Sequence, residues 1–96
     1  MEGLNIDITQ QEMEKIQRVL DALRMKGEQR TVATMDLTVA HKNGCALDLD
    51  NMVAFAESGS PLDQFHVIHD IIGISENLDR ETGRLERFRP RFAVEQ

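Results

Sequence analysis

Two histidines and an aspartate, His66, His69 and Asp70, have residue types and spacing that could hold a metal ion. Histidines three residues apart lie on the same side of a helix, so both imidazoles could reach one divalent ion. Asp70 is rotated by about 100° from His69 and is the poorer co-ligand. The favoured interpretation is structural: His66 is exposed, and His69 and Asp70 bond to neighbouring backbone or helices. We therefore expect no cofactor and no metal, with these three residues as the candidates if a metal binds.

A wider polar cluster is expected around the same segment. Its candidate members are Asp36, His41, His69, Asp70 and Gly73. If residues 31–50 begin with a helix, Asp36 falls in the middle of its apolar face. A buried carboxylate needs a hydrogen-bond or charge partner, such as His69 or His41. Gly73 inside a helix costs about 1 kcal/mol relative to alanine, which indicates the close approach of another helix, a ligand or a partner chain. We expect these residues to form structural polar contacts rather than a catalytic centre.

Arginines are concentrated near the C-terminus of a chain whose net charge is −6. The candidate partner-binding residues there are Arg84, Arg87, Phe88, Arg89 and Arg91. Cations beside aromatic rings can contact single-stranded nucleic acid, but the acidic remainder of the chain argues against a phosphate-backbone binder. Residues 84–96 are therefore expected to form a tail that docks on the core or across a dimer, or stays partly flexible.

The histidines depend on one long helix, expected over residues 61–82, around which the chain is organised. Ser60 can cap its start, Pro61 suits its first position and Gly83 can end it. One half of the helical wheel is apolar, with Phe65, Val67, Ile68, Ile71, Ile72, Ile74 and Leu78. The other half carries His66, His69, Asp70, Gly73, Glu76 and Asn77. An apolar half this wide needs cover from two or more other elements and is difficult for so small a core to cover.

Two further helices have clear starting signals. Thr9 and Glu12 form a T-x-x-E capping box, and apolar residues then recur at helical spacing until Gly27. A shorter helix is expected from about Leu49 to Glu57, with Asp48 as its cap.

Residues 31–50 can be interpreted in two ways. A helix from about Val32 to Asn43 would end well at the Asn43-Gly44 pair. A β-hairpin over residues 33–50, with a three-residue loop at 42–44, would place its apolar rows in matching register. The pattern alone slightly favours the hairpin.

Composition limits the class of protein. Ninety-six residues, 41% of them hydrophobic, make one small folded domain, residues 1–96, with an aliphatic core since only four residues are aromatic. A single cysteine excludes an internal disulfide framework, and no apolar run approaches the roughly 20 residues that span a bilayer. The acidic N-terminus is unlike a secretory signal. A cytoplasmic protein is expected.

Two stretches of the chain, residues 35–50 and 65–85, resemble a family of small uncharacterised proteins from bacterial and phage genomes. Residues 35–49 match the pattern M-D-L-T-x-x-H-x-N-G-C-x-L-x-L. Residues 65–83 match F-x-x-x-H-D-x-x-G-I-x-x-x-L-D-R-E-T-G, and residues 90–92 match a terminal P-R-F. Ala46 stands where relatives are expected to have proline, and residues 36–42 are less alanine-rich than in relatives. The family has no known activity, but its alanine-rich version of 36–42 implies a helix there.

We therefore predict an all-α domain of four helices organised around residues 61–82, with the hairpin as the alternative. No complete catalytic motif is present, so the expected function is a non-enzymatic, acidic protein-interaction or regulatory module. A homodimer and an unidentified protein partner are expected, with neither nucleic acid nor a membrane. A metal-dependent hydrolase or nuclease using His66, His69 and Asp70 is the first alternative. Nucleic-acid binding through the arginine-rich tail is the second.

Overall fold

The computed structural model describes residues 9–42, 47–81 and 92, and these form four α-helices. The helices are α1 (Gln10–Ala22), α2 (Gly27–Lys42), α3 (Leu49–Ala56) and α4 (Pro61–Glu81). The predicted all-α fold is confirmed, and so is the long helix at its centre. The alternative hairpin is wrong, because residues 33–42 lie inside α2.

The capping box predicted at the start of α1 is confirmed. The Thr9 hydroxyl accepts the Glu12 N–H at 3.1 Å, and the Glu12 carboxylate accepts the Thr9 N–H at 2.9 Å. α1 ends at Ala22, earlier than the predicted Gly27, since Arg24 adopts a left-handed backbone with φ 61°. Gly27, with φ 65°, begins α2 instead of ending α1.

α2 is a helix although Met35, Leu37 and Val39 alternate with other residues as in the first strand of the alternative hairpin. Its threonines turn their hydroxyls onto the backbone of the preceding turn: Thr34 donates to the Arg30 carbonyl at 2.9 Å and Thr38 to the Thr34 carbonyl at 2.8 Å. Its apolar residues occupy two separate stripes. Ala33, Leu37 and Ala40 are buried, whereas Val32, Met35 and Val39 are exposed. This division removes the single apolar face that would have identified a helix from the sequence.

The four helices pack as a bundle around one aliphatic core. α1 packs on α2 and α3, and α4 packs on the same two helices, so that α1 and α4 lie across the bundle from each other. α1 and α2 are antiparallel, because Asp21 pairs with Arg30 at 2.7 Å while Glu12, at the other end of α1, pairs with His41 at 3.3 Å. The largest fully buried side chains are Ile16, Val19, Leu20, Leu37, Met52, Val67 and Ile74.

α3 and α4 have the caps that the sequence predicted. The Asp48 carboxylate accepts the Asn51 N–H at 3.2 Å, and the Ser60 hydroxyl accepts the Asp63 N–H at 3.3 Å. Gln64 donates to the Ala56 carbonyl at 2.8 Å and so joins the start of α4 to the end of α3. The predicted stop at Gly83 lies outside the described residues.

Near the C-terminus, Phe92 belongs to the core. Its ring is buried and meets the Phe55 ring edge-on, with the centroids 5.0 Å apart. Its carbonyl accepts a hydrogen bond from the backbone N–H of Asp48, the residue that caps α3. Phe92 is therefore held by its ring against Phe55 and by its carbonyl at the start of α3.

Candidate protein-binding surface

The two histidines of α4 lie beside an exposed aromatic ring. Phe65 is exposed, and the centroid of its ring is 5.7 Å from that of His69 and 6.3 Å from that of His66. Asp70 is buried, whereas His69 is exposed and His66 half-buried. The three candidate metal ligands thus lie in different surroundings. Within the described ranges, no group of three or more His, Cys, Asp or Glu side chains is placed to hold a metal ion.

The other members of the expected polar cluster have separate partners. Asp36 is half-buried, and its carboxylate accepts the Ser75 hydroxyl at 2.5 Å, which ties α2 to α4. His41 points toward α1, where its Nε2 lies 3.3 Å from the Glu12 carboxylate. Asp36 is therefore tied to Ser75 and not, as predicted, to His41 or His69. These contacts divide the expected cluster between two helix interfaces and the surface.

The polar half of α4 is partly covered, in agreement with the close approach that Gly73 indicated. Asp70 and Asn77 are buried and Gly73 is half-buried, whereas Glu76 is exposed. The buried side of the helix includes Val67, Asp70, Ile71, Ile74 and Asn77. This side is rotated from the predicted apolar half, and the rotation leaves Phe65 and Ile72 in solvent.

The candidate residues of the tail, Arg84, Arg87, Phe88, Arg89 and Arg91, lie outside the described residues.

The contact of Glu12 with Thr9 and His41 makes stability depend on pH. The Thr9 N–H bond, assisted by the charge of His41, holds the pKa of the Glu12 carboxyl below its ordinary value of 4.5, although partial burial opposes this. A carboxyl whose pKa is lower in the folded state stabilises the fold above its unfolded pKa, and this contribution disappears as the pH falls through the folded pKa. We expect Glu12→Gln to lower the free energy of unfolding by about 0.3–1 kcal/mol near neutral pH.

That difference between the wild type and Glu12→Gln should shrink as the pH falls below about 4.5, and it should disappear below the folded pKa of Glu12, where the carboxyl is neutral like the glutamine amide. Urea unfolding at a series of pH values measures it. A difference that stays constant from neutral to acidic pH, or that grows in acid, would contradict the assignment.

All six large apolar side chains that are exposed in the described part of the chain lie on α2 and α4. They are Val32 (46% exposed), Met35 (59%), Val39 (38%), Leu62 (63%), Phe65 (56%) and Ile72 (48%). On each helix the three residues fall within about 80° of the circumference, at 100° per residue. Because α2 and α4 pack against each other, we treat the two stripes as one surface, the α2/α4 face.

A groove of about 440 Å³ lies between the two helices on this face. The α2/α4 groove is lined by Met25, Glu28, Gln29, Val32, Ala33, Ile71, Ile72, Ser75 and Glu76. Ala33 and Ile71 are buried and form its floor, whereas Val32 and Ile72 are half exposed and form its walls. The exposed glutamates Glu28 and Glu76 belong to its rim. The sequence signal for this surface was the apolar half of α4, which was too wide to be covered, but its counterpart on α2 was missed.

The fold and this surface define a small all-α domain with an apolar face on two of the four helices that the described residues form. The chain belongs to a family of unknown function, DUF6874, which matches residues 5–94. The predicted resemblance to an uncharacterised family is thereby confirmed. No curated protein and no solved structure matches this chain at a significant level. No described helix has both the length and the apolar character needed to cross a bilayer.

Proposed function

We propose that this domain is a non-enzymatic protein-interaction module that binds through the α2/α4 face. One observation carries the proposal: every large exposed apolar side chain of the described residues lies on these two adjoining helices. Apolar surface concentrated in one place favours contact with another protein, because its burial yields roughly 25 cal/mol per Å².

The opposite side of the bundle has the character of ordinary solvated surface. There α1 and α3 are joined by exposed ion pairs, Lys15 with Asp50 at 2.8 Å and Arg18 with Glu57 at 2.7 Å. Such pairs stabilise a fold little, but they keep a surface hydrated. The contrast between the two sides supports a binding role for the α2/α4 face and not for the whole surface.

The two alternatives receive less support. A metal-dependent hydrolase or nuclease would need His66, His69 and Asp70 around one ion, but Asp70 is buried whereas His69 is exposed. Nucleic-acid binding would rest on arginines that lie outside the described residues. A regulatory role, a bacterial or phage origin and a cytoplasmic location remain predictions.

We further propose that the domain forms a homodimer through this face. Two copies related by a two-fold axis would present the same stripes to each other, so each copy would cover the apolar side chains of its partner. A stable interface of this kind buries about 800 Å² per partner. An unidentified protein partner would also bind on this face.

Sedimentation velocity tests the dimer directly. We expect the wild type to sediment as a dimer at about 100 µM and to dissociate on dilution to the low micromolar range. The double variant Met35→Glu/Phe65→Glu should be monomeric at the same concentration, because it would place four carboxylates in the dimer interface. Both positions are exposed, so its helical circular dichroism should match that of the wild type.

Ala54→Glu is the matched control, since Ala54 is an exposed helical position on α3. It should leave the dimer intact. The dimer proposal would be overturned if the wild type were monomeric at every concentration. It would also be overturned if Ala54→Glu dissociated like the double variant.

A further inference from the structure

We propose that the α2/α4 groove binds an amphipathic helix that carries a lysine or arginine beside its apolar anchor residues. The inference rests on the proposed function and adds the chemical class of the partner. It concerns the part of the α2/α4 face at Val32 and Ile72, whereas Met35, Val39, Leu62 and Phe65 lie outside the groove.

The shape and lining of the groove suit the apolar side of a helix. Its volume of about 440 Å³ falls within the range of protein binding pockets. A floor formed by Ala33 and Ile71 lets another helix come close, and the walls formed by Val32 and Ile72 lie on either side. Parallel apolar walls with a low floor are the arrangement by which grooves between helices bind an amphipathic helix.

The negative charge at the rim of the groove indicates which charged residues the bound helix would carry beside its apolar side. Glu28 on α2 and Glu76 on α4 are both exposed at its rim, and neither has an ion pair with a described residue. No lysine or arginine is among the lining residues in the described part of the chain. Arg30 points toward α1, where it pairs with Asp21 at 2.7 Å. An apolar floor between two carboxylates is complementary to an apolar anchor with a neighbouring cation.

A second copy of the chain fits this part of the face less well. It would present its own Glu28 and Glu76, and its net charge is also −6. Like charges brought together in an interface oppose binding, so a cationic helix is the better occupant of the groove. Met35, Val39, Leu62 and Phe65, which lie outside the groove, would form the dimer interface.

Fluorescence anisotropy with two synthetic probes tests the proposal. Both are labelled amphipathic helices of about 18 residues with the same leucine face, one with lysine and one with glutamate on the polar face. We expect the wild type to bind the lysine peptide about tenfold more tightly than the glutamate peptide, or better. The Val32→Ser/Ile72→Ser variant should weaken binding of the lysine peptide by about tenfold, because each change removes an apolar wall.

A charge-matched pair of variants separates groove binding from general attraction to an acidic protein. Glu28→Gln/Glu76→Gln should weaken binding of the lysine peptide by about fivefold or more, since two rim charges are lost. Glu14→Gln/Asp50→Asn removes the same net charge from exposed positions on α1 and α3, and it should change the affinity by less than about twofold.

The groove assignment would be overturned if neither peptide bound, or if both bound with equal affinity. It would also be overturned if the two charge variants had equal effects. The proposed function would survive that result if Met35→Glu/Phe65→Glu still dissociated the dimer. Conversely, a monomeric wild type that retained the lysine preference would overturn the dimer and keep the groove.

Discussion

Replacing Phe92 by alanine is expected to lower the free energy of unfolding by about 3–5 kcal/mol, a large share of the stability of so small a domain. The Phe92 ring is buried and packs edge-on against Phe55, with the ring centroids 5.0 Å apart. Truncation leaves a cavity beside Phe55 and removes an aromatic pair. The backbone bond from Asp48 to the Phe92 carbonyl would also weaken, because the ring that fixes this residue is gone.

Urea unfolding followed by circular dichroism measures this loss. Phe65→Ala is the matched control: the same atoms are removed from a ring that is 56% exposed, so a change below about 1 kcal/mol is expected. Equal losses for the two variants would show that Phe92 does not contribute to the core.

The second large effect is expected on α2, where Leu37→Ala should destabilise the fold by about 2–5 kcal/mol. Leu37 is completely buried and faces the core between Ala33 and Ala40, whose small side chains cannot fill the space that it leaves. Met35, two residues earlier, is 59% exposed on the other stripe of the same helix. Met35→Ala should therefore change stability by less than about 0.5 kcal/mol.

The comparison of Leu37→Ala with Met35→Ala tests the orientation of α2, since the two residues are exchanged if the helix is rotated about its axis. Thermal unfolding of dilute, monomeric protein gives both values without a contribution from association. A Met35→Ala variant that loses as much stability as Leu37→Ala would mean that the apolar stripe containing Met35 is buried in the monomer.

The features predicted well from the sequence were those decided within a few residues. Thr9 with Glu12, Asp48 and Ser60 cap three helices as predicted, because a cap needs only a side-chain oxygen and a nearby backbone N–H. α4 was also predicted within a residue of its end, since its apolar residues recur over many turns. Local chemistry was sufficient for these elements.

Features that depend on distant parts of the chain were predicted less well. Asp36 was expected to pair with a histidine, but the packing of α2 on α4 brings Ser75 to it instead. α2 was ambiguous because its two apolar stripes, one buried and one exposed, together imitate the alternation of a strand. The premature end of α1 requires a left-handed Arg24, a conformation that no local signal predicted.

The binding surface was only half visible in the sequence. The apolar half of α4 was recognised as too wide to cover, but a helical wheel cannot show which of its residues other helices will bury. Once α4 buries Val67, Ile71 and Ile74, its neighbours Phe65 and Ile72 are left exposed. Their partner stripe on α2 depends on the same packing and could not be predicted from either helix alone.

The most direct test of the α2/α4 face as a binding surface is methyl NMR of protein whose methionines carry ¹³C-methyl groups. Met35 lies on the face and Met25 lines the groove, whereas Met13 is on α1 and Met52 is buried in the core. Between about 10 µM and 1 mM protein, we predict that the Met35 signal shifts or broadens while the Met13 and Met52 signals stay in place. If the Met35 signal stays unchanged over that range, or if Met13 shifts in its place, the α2/α4 face is not the surface through which this domain associates.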